Sequence, residues 1–144
     1  MAANGIILLG TIRADGRPRI SPCEAYVVDG ELLLGMMWQS KKALDLLRDP
    51  RITIATVQVD REPKVGDLKV YGSVVDVPEP DRRQAYSDVL NAAISWRPKE
   101  PYHLFSVDVE QAGFISFGDD KKLLRWSVER GTEVLQHPDA AGEG

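Results

Sequence analysis

The chain has 144 residues, a formal net charge of -4, 43% hydrophobic and 28% charged residues, and one cysteine, Cys23. This length supports a single domain with one core, and the composition is that of an ordinary globular protein without the basic excess of a nucleic-acid-binding protein. One cysteine excludes an intramolecular disulfide, and no apolar run reaches the roughly 18 residues of a membrane-spanning helix, so we expect a protein of the reducing cytoplasm.

The first third of the chain is predicted to form three antiparallel strands. Segments 6–13, 18–28 and 31–37 are rich in Ile, Val and Leu, and they are separated by the dipeptides Asp15-Gly16 and Asp29-Gly30. Asp-Gly favours the positive φ angles of hairpin turns. The pattern therefore predicts a three-stranded meander.

A short helix is predicted to begin at Ser40, within the stretch 38-WQSKKALDLLRDPR-51. Its apolar positions recur at helical spacing and Pro50 ends it; they are Ala43, Leu44, Leu46 and Leu47. Lys41 and Lys42 occupy the first turn, where the helix dipole makes a cation unfavourable by about 0.3–1 kcal/mol. This charge is of the wrong sign for the helix alone.

Two interpretations of the lysines are open. Ser40 can cap the helix, and the free N–H groups of the first turn would form a phosphate site that Lys41 and Lys42 reinforce. Alternatively, both lysines are solvated surface residues. Immediately upstream, 35-GMMW-38 can line a flat apolar ligand, or its side chains can simply alternate between core and surface.

Arg17 and Arg19 are predicted to share one face of the second strand, because strand residues two apart point the same way. Two neighbouring guanidinium groups repel each other unless an anion joins them. A bound anion would do so, and so would a carboxylate of the chain itself, for which Glu24 and Glu31 are the candidates.

The rest of the chain continues the β-rich pattern. Strands are predicted over 51–59, 68–77, 102–109, 112–117 and 121–128, with a helix of about 14 residues beginning at Pro80. Gly72 interrupts its strand and indicates a bulge or a close backbone approach. The order βββ-α-ββ-α-βββ predicts a mainly β domain over 1–134, an antiparallel barrel with peripheral helices, and a flexible tail over 135–144.

Several enzyme classes have no support in the sequence. It contains no G-x-S-x-G, Walker or G-x-G-x-x-G motif, so hydrolase, P-loop and Rossmann functions are not indicated. His103 and His137 have no metal-binding spacing with Cys23, and no metal site is predicted.

Three segments, 10-GTIRADGRPRISP-22, 29-DGELLLGMMWQSKKALDLLRDPRITIATV-57 and 67-DLKVYGSVVDV-77, resemble the pyridoxamine 5'-phosphate oxidase-like family of FMN-binding split β-barrels. The resemblance covers roughly residues 8–77. It implies a split barrel in which a cofactor phosphate contacts the two basic residues of the short helix and an arginine of the second strand. The residues it assigns to cofactor binding are Arg19, Gly35, Met36, Met37, Ser40, Lys41, Lys42 and Trp126.

In this family the cofactor lies at a two-fold interface, so the resemblance implies a homodimer to which Trp126 or Arg125 contributes from the second subunit. Glu24 stands where the oxidase has a lysine, and the oxidase's C-terminal Arg-x-His substrate motif has no counterpart in 121-KKLLRWSVERG-131. Pyridoxine phosphate is therefore not the expected substrate. The helix sequence is more similar to the actinobacterial branch, whose members use FMN or the deazaflavin coenzyme.

The expected function is hydride transfer between a bound flavin (FMN) or deazaflavin and a small organic substrate, with the cofactor supplying the redox chemistry and no catalytic residue assigned. A non-catalytic barrel that holds flavin or haem is the main alternative. An oligonucleotide-binding barrel is disfavoured, because the chain is acidic and has no alternation of basic and aromatic residues beyond Arg125-Trp126.

Overall fold

Eight strands and two helices follow one another in the predicted order in residues 5–57, 66–117 and 121–138, which the computed structural model describes. The elements are β1 (Ile6–Ile12), β2 (Pro18–Val28), β3 (Glu31–Met37), α1 (Lys41–Arg48), β4 (Arg51–Ala55), β5 (Asp67–Asp76), α2 (Pro80–Ile94), β6 (Tyr102–Ser116), β7 (Lys122–Ser127) and β8 (Gly131–Val134). The end of the predicted strand 51–59, most of the stretch between that strand and the next predicted one, and residues 118–120 lie outside the described residues.

The observed number of strands equals the predicted number because two differences cancel: two predicted strands are one, and one observed strand was not predicted. The two strands predicted over 102–109 and 112–117 are one continuous strand, β6, of 15 residues. The short strand β8 was not predicted, because its four residues show no run of β-branched side chains. It pairs with β7, Leu124 opposite Val134 and Ser127 opposite Gly131.

Strands β1 to β6 close an antiparallel barrel, which confirms the predicted mainly β fold. The sheet order is β3-β2-β1-β4-β5-β6-β7-β8, and β3 also pairs with β6. One edge of β6 changes partner along its length: its first five residues pair with β3, whereas residues 111–116 pair with β7. The barrel is therefore split, and the β7–β8 hairpin extends beyond it.

The predicted irregularity at Gly72 is confirmed. Tyr71 pairs with Gln111 and Gly72 with Val109, so Glu110 of β6 is an extra residue without a partner on β5. A Cβ atom at position 72 would overlap the carbonyl oxygen of Asp108. Gly72 therefore allows both the bulge and the close approach of the two backbones.

In the part of the chain that the structure describes, two apolar clusters hold the fold together. The first fills the barrel and includes Leu9, Leu34, Ile54 and Phe105; the second lies between the barrel and α2 and contains Val28, Leu33, Val77, Tyr86, Leu90, Tyr102 and Leu104. On α1 the buried residues are Ala43, Asp45 and Leu46, whereas Leu44 and Leu47, which belong to the apolar repeat, are 45% and 56% exposed. The buried side of this helix thus includes a carboxylate.

The start of the predicted tail packs against the barrel. The Leu135 amide donates to the Leu123 carbonyl at 2.8 Å, and the buried His137 ring lies 2.7 Å from the Ser116 carbonyl oxygen. The remaining tail residues, 139–144, lie outside the described part of the chain. Among the described helices, neither is long and apolar enough to cross a membrane.

Candidate functional site

Four chain segments meet at one end of the barrel: the end of β3, the start of α1, the start of β6 and the segment after α2. The turn between β3 and α1 is fixed by His103 of β6, the strand paired with β3, on which His103 lies opposite Met36. The Gln39 amide donates to His103 Nε2 at 3.0 Å, Gln39 itself has a φ of 57°, and the Trp38 and His103 rings stack with centroids 4.5 Å apart. One histidine therefore positions the residues that lead into α1.

His103 must be neutral in this arrangement. An Nε2 atom that accepts a hydrogen bond carries no proton, so the other ring nitrogen holds the single proton of the neutral form. Burial lowers the pKa of His103, which favours the same form. The turn is consequently held by a group that stays uncharged at neutral pH.

The N-terminus of α1 has hydrogen-bonding groups that the chain leaves unfilled. Ser40 is the N-cap residue by backbone conformation, but its side chain makes no cap hydrogen bond, contrary to the prediction. Within the described residues, its buried Oγ has no hydrogen-bond partner at all. No acidic residue lies in the first turn. This helix end is therefore suited to an external anion.

The two lysines of the first turn face different cavities. Lys42 Nζ donates to the Pro22 carbonyl at 2.8 Å and lines a cavity of about 660 Å³. Lys41 lines a second cavity of about 310 Å³, together with Arg19. The start of α1 thus contributes one lysine to each of the two cavities.

The smaller cavity, here called the basic cleft, has four basic and two acidic lining side chains. Its lining residues are Arg13, Ala14, Asp15, Arg19, Lys41, Leu44, Asp45 and Arg48. Asp45 is 3% exposed and accepts hydrogen bonds from Thr11 Oγ1 at 2.8 Å and Arg19 Nε at 2.7 Å, and a third from Arg48. Although burial opposes it, these bonds hold the pKa of Asp45 below its usual value. The cleft keeps an excess of positive charge.

Arg17, predicted to share a strand face with Arg19, lies just before β2, which begins at Pro18. The carboxylates that neutralise these two arginines are not the two that were expected. Arg19 pairs with Asp45, and Arg17 approaches Asp15 at 4.0 Å. Glu31 instead accepts from Arg82 of α2 at 2.7 Å. The expectation failed because Asp45, inside a helix with an apolar repeat, lies on the buried side of α1.

The larger cavity, here called the aromatic cavity, lies where the four segments meet. Its lining residues are Ile6, Pro22, Cys23, Glu24, Gly35, Met36, Met37, Trp38, Lys42, Tyr86, Trp96, Pro98, Lys99, Pro101 and Tyr102. The strand end 35–37, which the resemblance assigns to the cofactor ring, borders this cavity, and its three residues differ in placement. Met37 is 80% exposed, Met36 is 4% exposed in the barrel core, and Gly35 lies under the Tyr86 ring. The cavity wall is mainly apolar and aromatic, which suits a flat ligand.

The cysteine in the wall of the aromatic cavity is buried and weakly nucleophilic. Cys23 is 3% exposed, and burial raises the pKa of its thiol to about 11. Its Sγ donates weakly to the Gly35 carbonyl at 3.7 Å. A thiol with so high a pKa is a poor nucleophile at neutral pH. In the described part of the chain, no three His, Cys, Asp or Glu side chains are grouped to hold a metal ion.

Trp126, the last residue that the resemblance assigned, lies away from the others within one chain. It is on β7, opposite Ala112 of β6 and Thr132 of β8, and it lines neither cavity. Its neighbour Arg125 forms an ion pair with Glu133 at 3.4 Å. The structure therefore groups Arg19, Ser40 and the two lysines around α1, and the 35–37 strand end beside them, without Trp126.

Three residues of this region were not indicated as site residues by the sequence: Asp45, Tyr86 and His103. Tyr86 lies among the apolar residues of the second helix, next to Ala85, and Asp45 lies among the leucines of the first. His103 acts on a residue 64 positions away. The one usable signal was local, since an aspartate on an apolar helix face requires buried partners.

The sequence matches the family model for pyridoxamine 5'-phosphate oxidase over residues 2–116. No curated protein matches the chain. Among solved structures, the conserved hypothetical protein Rv2991 from Mycobacterium tuberculosis is similar, with 21% identity, a TM-score of 0.64 and 76% of each chain covered.

Two further solved structures share the fold. A heme binding protein from Mycobacterium smegmatis has 15% identity and a TM-score of 0.66, with 97% of this chain and 56% of that chain covered. The chain therefore spans little more than half of that protein. PhzG from Burkholderia lata 383, solved in complex with tetrahydrophenazine-1-carboxylic acid, has 12% identity and a TM-score of 0.66, with 94% of this chain and 83% of that chain covered.

Proposed function

Since the chain belongs to the pyridoxamine 5'-phosphate oxidase family, we propose that it binds a phosphate-bearing flavin (FMN) or the deazaflavin coenzyme as an oxidoreductase acting on a small organic substrate. The observation that carries the proposal is the start of α1. There, a buried serine hydroxyl without a hydrogen-bond partner in the described residues and the free N–H groups of the first turn adjoin Lys41 and Lys42. A phosphate would fill these vacant donors.

The residues around α1 fit a cofactor phosphate. Ser40 Oγ and the first-turn N–H groups would donate to its oxygens, while the two lysines supply charge from either side. Arg19 would contribute with one part of its guanidinium group, because its Nε is engaged by Asp45 and the terminal nitrogens carry further N–H donors. The positive charge that destabilises the bare helix end would then stabilise the complex.

The aromatic cavity would hold the ring and the substrate. The bound ring would supply hydride transfer, and the chain would supply position and a dry environment. Because Trp38 stacks on His103, its ring would already be positioned as a wall of the aromatic cavity before the cofactor binds. Gly35 and the exposed Met37 side chain would border the ring on the strand side.

A second candidate is a non-catalytic barrel that holds haem or flavin. The heme binding protein from M. smegmatis shares this fold, which makes haem a test ligand here. No histidine lines the aromatic cavity in the described residues, and the thiol of Cys23 is unsuited to ligate iron because its pKa is raised. Met37 is the exposed side chain that could do so.

We also propose a homodimer. Large apolar side chains are exposed on several strands, among them Ile20 at 74%, Val75 at 60% and Val134 at 80%. Ile20 borders an apolar cavity of about 490 Å³ lined by β1, β2 and β4. A two-fold interface would cover such surface and would allow Trp126 of the second subunit to complete the site.

The test is titration of the purified protein with FMN, with the deazaflavin coenzyme and with hemin, followed by absorbance and fluorescence. The variants Ser40→Ala, Lys41→Ala and Lys42→Ala remove the anchor one group at a time, and Lys69→Ala, on the exposed side of β5, is the matched control. We expect each lysine variant to weaken binding of the preferred cofactor by about 5- to 30-fold, as for a charge-assisted hydrogen bond.

The pattern of binding distinguishes the candidates. Loss of FMN or deazaflavin affinity in the anchor variants, with Lys69→Ala unchanged, supports the proposed cofactor site. Hydride transfer is then tested by reducing the bound cofactor and measuring its reoxidation by candidate acceptors. Tight hemin binding that is indifferent to the lysines, together with no binding of either flavin, would favour the haem barrel instead.

A further inference from the structure

The Tyr86 hydroxyl has no hydrogen-bond partner in the described part of the chain. Tyr86 is 1% exposed, it lines the aromatic cavity, and its oxygen is buried. Burial, with the nearby Glu24 adding to it, raises the pKa of Tyr86 well above its ordinary value, so the group is a neutral donor. A buried hydroxyl without a partner costs free energy, which is recovered when a ligand supplies the acceptor.

The Glu24 carboxylate is the second vacant group at this wall. Glu24 is half-buried and lines the same cavity, and its carboxylate makes no hydrogen bond or ion pair with the described residues. It is the cross-strand neighbour of Gly35, over which the Tyr86 hydroxyl lies. Lys42, the cation next to it on the wall, directs its ammonium group to the Pro22 carbonyl. A donor and an acceptor therefore adjoin each other in the cavity without partners.

We propose that Tyr86 and Glu24 together recognise a cyclic amide or imide edge of the bound molecule. The Tyr86 hydroxyl donates to its carbonyl oxygen and the Glu24 carboxylate accepts from its N–H. The inference rests on the proposed function in placing a flat ligand in this cavity. It adds the chemical class of the ligand's edge and the two residues that specify it.

The same pair excludes other ligands. A carboxylate or phosphate at this edge would meet the negative charge of Glu24 and would leave the Tyr86 donor as its single partner. An apolar edge would leave both groups unpaired, which discriminates strongly against it. Two molecules carry the favoured edge: the pyrimidine part of a flavin or deazaflavin ring, and a substrate with a lactam or imide group.

The experiment compares wild type with Tyr86→Phe and Glu24→Gln. Tyr26→Phe is the matched control, because the Tyr26 hydroxyl also lies over a glycine, Gly5, but does not line the cavity. Lumiflavin, which has the ring without a phosphate, tests whether the edge belongs to the cofactor. Uracil, titrated into FMN-loaded and cofactor-free protein, tests whether the edge belongs to a substrate. The melting temperature of each ligand-free variant is measured alongside.

If the cofactor ring is the ligand, both variants bind lumiflavin about 3- to 10-fold more weakly and Tyr26→Phe does not. If a substrate is the ligand, FMN and lumiflavin binding is unchanged and uracil binding falls by a similar factor. Tyr86→Phe leaves the melting temperature of the free protein unchanged or higher, whereas a structural hydroxyl would lower it.

Two results would overturn the inference. Should lumiflavin and uracil both bind the variants as they bind wild type, the pair does not recognise this edge, and the proposed function stands if Lys42→Ala still weakens FMN. Should no flavin bind wild type, the proposed function fails on its own, and uracil binding to the bare protein then decides whether the pair has a ligand. Failure of uracil to bind as well rejects both.

Discussion

The Tyr86 hydroxyl lies directly over the backbone of Gly35, so closely that a Cβ atom at position 35 would overlap the hydroxyl oxygen and stand 2.7 Å from the ring carbon Cζ. A helix residue and a strand residue 51 positions apart are thereby matched in shape. Gly35 admits the tyrosine ring, and the tyrosine forms part of the wall of the aromatic cavity.

The first prediction follows from this match. Gly35→Ala should lower the free energy of unfolding by about 1–3 kcal/mol, because the ring must shift in a packed cluster. In a Tyr86→Phe background the cost should be smaller by at least about 0.5 kcal/mol, since the nearest overlapping atom is gone. Urea unfolding of the four proteins in this cycle measures the coupling. Strictly additive effects would mean that the two residues do not constrain each other.

The second prediction concerns Asp45, which holds Thr11, Arg19 and Arg48 together. Asp45→Asn should cost about 1–3 kcal/mol of stability, because a buried ionic acceptor becomes neutral. The same change should strengthen FMN binding a few-fold, since Arg19 loses its competing anion. Asp15→Asn is the control, as Asp15 is exposed in the same cleft and its ion pairs should matter little. Weaker FMN binding in Asp45→Asn would mean that Arg19 does not contribute to the phosphate site.

The third prediction is a pH dependence that arises from His103. Its pKa is lowered in the folded state, so the unfolded chain takes up the proton first as the pH falls below about 6.5. Stability should therefore be fully present above this pH and be lost below it, by up to about 1.4 kcal/mol per pH unit, until the pH passes the folded-state pKa.

The measurement for His103 is the free energy of unfolding between pH 8 and pH 5 for wild type and His103→Gln, whose amide oxygen accepts a hydrogen bond without titrating. Asp76 and Arg83 act on His103 in opposite directions and are present in both proteins, so the difference between the two curves isolates the imidazole. Parallel curves would show that the Gln39 contact does not depend on a neutral ring.

The fourth prediction tests the homodimer. Ile20→Asp places a charge on an apolar side chain that is 74% exposed, and it should convert a dimer to a monomer in light scattering at micromolar concentration. Asn91→Asp, on the exposed side of α2, adds the same charge without removing an apolar group and should leave the mass unchanged. A wild-type protein that is already monomeric would contradict the proposal.

Local patterns predicted most of the fold. Asp29-Gly30 and the alternation before and after it placed β2 and β3 at their observed bounds, and Pro80 marked the start of α2. The continuity of β6 was not predictable, because it depends on β5 and β7 holding both sides of a Gln-Ala-Gly stretch that has little strand preference of its own.

The site was predictable only where it is local. Ser40 and the two lysines are neighbours in sequence, and their unfavourable charge indicated an external anion. The Tyr86–Gly35 and His103–Gln39 contacts join residues from opposite halves of the chain, and no periodicity or motif in one sequence encodes such pairs. The leucine pattern of α1 gave no indication that Asp45 is buried, because its carboxylate is stabilised by hydrogen bonds to distant residues rather than by hydrophobicity.

Glu110, the extra residue of β6, shifts the alternation of side chains along this strand by one position. Phe105, Val107 and Val109 contact the barrel core before it and Ala112 contacts the core after it, so the inward positions change from odd to even numbers. Gly72 and Tyr71 are neighbours on β5, and their partners Val109 and Gln111 therefore already face opposite sides of the sheet. Deleting Glu110 would make Val109 and Gln111 adjacent without exchanging the inner and outer residues of 111–116. The hairpin that carries Trp126 would keep its face and lose only the local bend that the bulge imposes.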